Sequence, residues 1–427
     1  MEGRTLSVGL KVLLAITLTL LAISSWASEK KLHNFNGTDG SRPLYTGLVF
    51  DASGNLFGTT SRNGLYNGGT VYELSPNGNG GWTEKVLYNF DGRYRSTDGN
   101  SPEAGVIFGP DGNLYGTASG GGSYGGGIVF ELVSNGHGGW TEKKLHNFGN
   151  GTDGSQPYSA LIFDSDGNMY GTTMRGGNNE SSGTVFEMSP NGNGGWSEKK
   201  LHNFNPEVGH DGEFPQGQLV FDNDGNLFGT TPSGGAHQLG IDTCGMIFEL
   251  SPNGDGGWTE TKLHYFGAGT DGCLAYGGLV RDAEGNFYGT TLWGGSDPSS
   301  FGTAYELSPN GHGGWTETKL HNFGSGNDGA EPWSNLTFDG SGNLYGTTGG
   351  GGSYGAGTVF ELSPNGHGGW SETRLHNFDG RYGSTDGKLP QGSLVFDASG
   401  NLYGTTELGG SYLCGVYGCG TVFEVEP

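Results

Sequence analysis

Six histidines stand just before an Asn-Phe or Tyr-Phe pair, at His33, His146, His202, His264, His321 and His376, and Tyr88 takes the same place in a seventh phrase. Imidazole is a common zinc ligand, so a recurring histidine raises metal chemistry first. Each phrase is followed by an Asp-Gly step, at Asp39, Asp98, Asp153, Asp211, Asp271, Asp328 and Asp386, whose carboxylate and carbonyl oxygens suit calcium. Gly121-Gly122-Ser123-Tyr124-Gly125 and Gly351 to Gly355 match Gly-x-Ser-x-Gly, the elbow that presents a nucleophilic serine. Which of these is chemistry depends on the elements that would hold them.

The phrases end at Phe35, Phe90, Phe148, Phe204, Phe266, Phe323 and Phe378, so successive copies lie 55, 58, 56, 62, 57 and 55 residues apart, a period that belongs to repeat architectures. Within each period four short runs rich in β-branched and aromatic residues keep one order. In the first copy they are Leu48 to Asp51, Asn55 to Thr60, Gly69 to Leu74 and Trp82 to Phe90, strands A, B, C and D. Asp-x-x-Gly-Asn joins A to B, and Ser-Pro-Asn-Gly-x-Gly-Gly-Trp joins C to D; both are rich in residues that tolerate tight hairpins. No stretch of the mature chain has glycine-free helical periodicity long enough to compete, so the class is all-β.

Four antiparallel strands repeated radially describe propeller blades. After Phe378 come A (Leu394 to Asp397), B (Asn401 to Thr406) and C (Gly420 to Val425) without a D, and the missing D stands at the other end, in Lys30 to Phe35. The expectation is a single domain over residues 28–427, a seven-bladed β-propeller of four-stranded blades with its last blade closed 3+1 by the N-terminal strand. An open β-solenoid, the runner-up, would have no use for complementary partial repeats.

This geometry sorts the chemistry. Strands in a sheet lie about 4.8 Å apart, which places D strands roughly 20 Å from the axis and equivalent residues of neighbouring blades roughly 15 Å apart. Zinc needs ligands within about 2 Å of the ion. The histidines therefore read as structural, as do Trp82, Trp140, Trp196, Trp258, Trp315 and Trp370 at the starts of the D strands, and no metal site is assigned. The Asp-Gly steps lack the Asp-x-Asp-x-Asp-Gly spacing of a calcium loop and read as turns that cap their own backbone. Asp164 to Asn168 reads likewise as an A-to-B hairpin; calcium is the lesser reading and no cofactor is implied. The Gly-x-Ser-x-Gly matches fall in B-to-C loops with no helix after them and are set aside.

What differs between copies tells more. Five residues before the phenylalanine of strand A stand Tyr45, Glu103, Tyr158, Gln216, Tyr276, Trp333 and Gln391. Here the chain returns to the axis, where equivalent atoms of adjacent blades stand about 6 Å apart and can converge on one ligand. Aromatic faces mixed with amide and carboxylate groups suit sugars or small amphipathic molecules; the plainer reading has them plug the axial funnel. In blade five Arg281 replaces the strand-A phenylalanine, and Trp293 appears in the B-to-C loop of that blade. Tyr276, Arg281, Trp293 and Trp333 form the expected ligand patch, and Glu103 is the candidate acid or base.

The chain opens with Arg4 and Lys11, an apolar run from Val12 to Ile23 and then Ser25-Trp26-Ala27, the layout of a secretory signal peptide over residues 1–27 and too short for a transmembrane anchor. A net charge of −24 disfavours nucleic acid as a partner and leaves cations, basic proteins and neutral glycans open. Four cysteines in an exported chain should be oxidised, Cys414 with Cys419 inside one Gly-rich loop and Cys244 with Cys273. With 90 glycines and 16 prolines an aperiodic chain would be disordered, but aromatics recurring at fixed places supply surface to bury.

Gly342 to Thr348 reads Gly-Asn-Leu-Tyr-Gly-Thr-Thr, and Gly357 to Leu362 reads Gly-Thr-Val-Phe-Glu-Leu, with similar strings in all seven copies. In this the chain resembles the GloVer (Gloeo-Verruco type) family of extracellular tandem repeats. The resemblance implies repeat architecture on exported proteins, often with a C-terminal surface-sorting segment, and it supplies no catalytic residue. The chain stops at Pro427 after its last C strand, an ending that favours release or periplasmic residence over covalent anchoring. The expectation is a secreted, monomeric, non-catalytic binding or scaffold module for an extracellular glycan or protein. One alternative is a lyase or hydrolase acting on an extracellular polymer through Glu103, with Arg281 stabilising negative charge; the other is a purely structural cell-surface repeat.

Overall fold

Single side chains shape the hairpins. Asp51 Oδ1 accepts the backbone N–H groups of Ser53 and Asn55, each at 2.8 Å, and its Oδ2 accepts Asn55 Nδ2 at 2.8 Å, closing the first A-to-B turn. Asp164, Asp222, Asp282, Asp339 and Asp397 hold their turns through the equivalent bond to an asparagine N–H. In the first C-to-D turn, Asn77 Oδ1 accepts the N–H groups of Asn79 and Gly81.

The computed structural model describes residues 29–45, 47–93, 96–178, 182–239, 242–296, 301–324, 327–381, 384–415 and 417–427; the leader assigned from sequence to residues 1–27 lies outside them. Among the described residues every regular element is a strand, and no helix is long and apolar enough to cross a membrane.

Seven antiparallel four-stranded sheets form the seven blades of a propeller. Blade one runs Val49–Phe50, Leu56–Thr60, Asn67–Pro76 and Trp82–Asp91, in A-B-C-D order. In blade seven, Glu29–Asn34 pairs antiparallel with Thr421–Val425, which is followed inward by Leu402–Thr406 and Val395–Phe396. The N-terminal strand therefore completes the last sheet, and the C strand there gains a partner instead of an exposed edge.

The core lies between blades. Phe90, fully buried at the end of one D strand, packs edge-on against Phe130 on strand C of the next blade, with centroids 5.1 Å apart. Phe35 meets Tyr72 and Phe378 meets Phe423 in the same way, and Phe148 meets Phe186 at a tilt. The D-strand tryptophans reach in the opposite direction: Trp82 to Tyr403, Trp140 to Phe57 and Trp196 to Tyr115, each an aromatic on strand B of the preceding blade. Each blade is thus covered on both faces only inside the ring. The glycine of strand B makes room for this layer, since a Cβ on Gly58 would stand 2.5 Å from the Tyr72 hydroxyl.

Both expected disulfides are present, Cys244–Cys273 and Cys414–Cys419, with no free cysteine among the described residues. The first ties the residues just before strand C of blade four to the segment that enters blade five.

Candidate functional site

At one end of the axis the D-to-A and B-to-C segments meet in short ribbons, one per blade; Gly272–Cys273 pairs with Trp293–Gly294, and Ser41 bridges Arg62. Just after each ribbon one non-glycine residue is held left-handed: Arg42, Ser101, Gln156, Phe214, Leu274, Glu331 and Leu389, with φ between 54° and 64°. This conformation costs about 1 kcal/mol or more for such residues. Two backbone bonds offset it. The N–H groups of these residues bond to carbonyls of the preceding blade, as in Arg42 to Cys419 at 2.8 Å, and in every blade but the fourth, where Pro232 has no N–H to give, their carbonyls accept from the residue that follows strand B, as in Glu407 to Leu389 at 3.0 Å. The kink turns the following three residues toward the axis, where the variable positions lie.

Tyr45, Tyr158, Gln216, Tyr276, Trp333 and Gln391 all line one axial cavity of about 350 Å³ that runs down the inner strands. The Trp333 ring lies 4.5 Å from that of Tyr276 and 5.7 Å from that of Tyr45, so rings from blades five, six and one meet across the axis. Deeper in the channel, Asn335 Nδ2 of blade six donates to Gln218 Oε1 of blade four at 3.2 Å, and Asn335 Oδ1 accepts the Gly278 N–H at 2.6 Å. Blade five permits this crossing because Gly278 presses on the Gln218 backbone; a Cβ there would come within 2.3 Å of its carbonyl oxygen.

Glu103, the seventh member of the ring, sits beside the Tyr158 hydroxyl, which donates to it. Burial pushes the Glu103 carboxyl up to about 7, against the Tyr158 hydrogen bond and the Arg62 charge, while Glu407 raises it further. Burial also raises Glu407, opposed by Arg42 and Arg62, and Arg42 Nη1 stands 3.5 Å from Glu407 Oε1. The Tyr45 hydroxyl is raised by burial and then by the Glu103 and Glu407 charges. Two carboxyls, two guanidinium groups and several phenols therefore share the mouth with the aromatic rings.

Of the four residues expected to form one patch, the structure joins Tyr276 and Trp333. Trp293 stays on the same end of the ring, opposite Cys273 in its ribbon and 41% exposed. Arg281 is separated from them. It lies where strand A enters the A-to-B hairpin, and its Nη1 donates to Asn223 Oδ1 in the hairpin of blade four at 3.3 Å. Five extended residues carry it to the other end of the channel. Arg42, Arg62 and Glu407 join the mouth without having stood out in the sequence; their signal was the variation just before Pro43 and just after the threonine pairs, where other copies carry Ser119, Met174 or Gly349.

The repeated polar residues lie at the seams between blades. Nε2 of His33, His146, His264 and His321 stands 2.9 to 3.1 Å from an oxygen of Asp39, Asp153, Asp271 and Asp328, and the Tyr88 hydroxyl donates to Asp98 at 3.1 Å. Each pair fastens the end of a D strand to the Asp-Gly turn that follows it. Asp153 Oδ1, for example, also accepts the Gly154 N–H.

A family model described as the Gloeobacter/Verrucomicrobia repeat matches residues 19–136, 80–272 and 239–427. No curated protein matches the sequence. Among solved structures, similar chains include a protein of Thermus thermophilus, provisionally described as an oxidoreductase (glucose dehydrogenase), and a protein of unknown function from Dyadobacter fermentans. The first is 15% identical over 94% of this chain and 100% of its own, with a TM-score of 0.45. The second is 10% identical over 93% and 98%, with a TM-score of 0.48.

Proposed function

The chain belongs to the Gloeobacter/Verrucomicrobia repeat family, and from that premise we propose that its seven-bladed ring is a binding module that takes an extracellular glycan at the axial mouth. One observation carries this reading: Tyr45, Tyr276 and Trp333, contributed by three different blades, pack together where charged groups and phenols ring them. Aromatic faces cover the apolar C–H surface of a sugar, and Glu103, Glu407, Arg42 and Tyr158 pair its hydroxyls. In this reading the packed rings form the floor on which the sugar stacks. Exposed Trp293 adds a second stacking surface at the rim.

Binding to a glycan array and to insoluble cell-wall polysaccharide tests this. Retention by the wild type that falls at least tenfold in Trp333→Ala, and falls in Trp293→Ala with the fold intact by circular dichroism, supports the mouth. Undiminished binding in both variants moves the site elsewhere. Absence of any retention sinks the glycan and favours a purely structural surface repeat.

A second reading, cleavage of such a polymer, is favoured by Glu103, whose carboxyl at about 7 is matched to proton transfer near neutral pH. Tyr158 orients that carboxyl and Arg62 supplies the positive charge that Arg281 was expected to bring. Polysaccharide turnover that disappears in Glu103→Gln while binding persists distinguishes an enzyme from a binding module.

A further inference from the structure

At every seam a glutamate from strand D of the next blade joins the pair already described. His33, Asp39 and Glu84 meet at the seam that closes the ring; His146, Asp153 and Glu198, or His202, Asp211 and Glu260, meet at others. Five of the other six seams carry a lysine two residues after this glutamate, at Lys31, Lys144, Lys200, Lys262 and Lys319, and the sixth carries Arg374. Each of these cations acts on its glutamate. Lys262 Nζ, for instance, stands 3.6 Å from Glu260 and 3.9 Å from Asp211. At the closing seam the position is Val86.

The closing seam therefore gathers the same acids without the built-in cation. His33 Nε2 is 3.1 Å from Asp39 Oδ2, and a ligand atom from each of His33, Asp39 and Glu84 lies within 4.8 Å of the others. Glu84 Oε1 is buried with no hydrogen-bond partner among the described residues, as are the equivalent oxygens of Glu29, Glu142, Glu260 and Glu372, which have a lysine or arginine to face. Asp39, 6% exposed, is held from outside by Asn36, whose N–H and Nδ2 donate to its two oxygens at 2.8 and 2.7 Å.

We propose that the closing seam is a divalent transition-metal site of zinc type, with His33 Nε2, Asp39 Oδ2 and the Glu84 carboxylate as its protein ligands. One imidazole nitrogen and two carboxylates neutralise a doubly charged ion and are a donor set zinc accepts, with water at the fourth position. Ligands about 2.1 Å from a tetrahedral ion stand about 3.4 Å apart, close to the spacing of the His33–Asp39 pair. Calcium would need six or more oxygens. Asn36 is the outer partner that aims a ligating carboxylate. Measuring histidine against histidine, one blade apart, hides the site in the sequence, because the ligands come from one D strand, the turn after it and the next D strand. The ion would clasp the N-terminal strand, which completes blade seven, to blade one.

The test uses tag-free full chain stripped with chelator and titrated with zinc by calorimetry, then with cobalt(II) by visible absorption. The expected result is one zinc per chain, intense tetrahedral cobalt bands and a raised Tm. Glu84→Gln and Val86→Lys should each weaken binding at least tenfold and abolish the cobalt bands. Val86→Lys places at this seam the residue that five other seams carry, so it should keep the fold. A folded wild type that takes up no zinc, or uptake unchanged in both variants, overturns the site.

Discussion

The seams between blades and the axial mouth are made by the same seven repeats, yet one is built by repetition and the other by variation. At the seams a D-strand phenylalanine, a histidine or tyrosine and an aspartate recur, with the histidine Nε2 2.9 to 3.6 Å from an aspartate oxygen, because every blade must meet its neighbour with a similar geometry. At the mouth the backbone is just as regular, with its seven left-handed residues, but the side chains it presents change from phenol to indole, amide and carboxylate. Seven equivalent frames thus carry one asymmetric surface. Regular scaffold with irregular side chains is how a repeat protein separates stability from recognition.

The sharpest test of this separation is Phe148→Ala. The ring is fully buried, 4.6 Å from His146 and 5.0 Å from Phe186, and its loss should cost about 3–5 kcal/mol in urea denaturation. Ligand affinity of the molecules that remain folded should not change; if it falls with stability, the two regions are not independent.

Cys244 and Cys273 stand between the regions, since the bond fastens blade four to the segment that leads to Tyr276. Replacing both by alanine removes a 29-residue constraint on the unfolded chain and should cost about 3–4 kcal/mol by thermal denaturation. Here binding should weaken as well.

Glu142 sharpens the seam side through pH. Burial and Asp98 push its carboxyl up to about 7, with Lys144 opposing, and it faces Tyr88 across the seam. A carboxyl raised in the fold favours its neutral form, so its contribution to stability is complete below about 4.5 and is lost as pH rises through about 7. The wild-type Tm should therefore decline across that window, and Glu142→Gln should flatten the decline. An identical pH profile in the two proteins would contradict this.

The smallest stability effect belongs to the mouth. Trp293→Ala, at an exposed rim position, should change stability by no more than about 0.5 kcal/mol while glycan retention falls severalfold. A destabilisation as large as that of Phe148→Ala would mean that Trp293 is scaffold.

Much of the architecture was legible because it is periodic. Phe35 to Phe378 mark the blades, the missing D strand marks the closure, and both cysteine pairs follow from elimination among four. The ring from Tyr45 to Gln391 was found by asking what varies at one register position, and six of its seven members line the axial cavity. Arg281 was misplaced because position in the repeat says how far along a strand a residue lies, while the direction in which it leaves the sheet end is set by the hairpin beside it. Arg42 and Glu407 went unnoticed because they sit on opposite flanks of two loops, and only the hydrogen bonds across the ribbons bring such flanks together.

By itself the sequence determined the strand order, the number of blades, the closing strand and which positions would differ, since all of these follow from local pattern and count. Tertiary structure alone decided which of those positions meet. The packing of Trp333 on Tyr45 and Tyr276, and the convergence of Glu84 on His33 and Asp39, depend on the angle at which seven sheets close around an axis, and that angle is a property of how the blades pack.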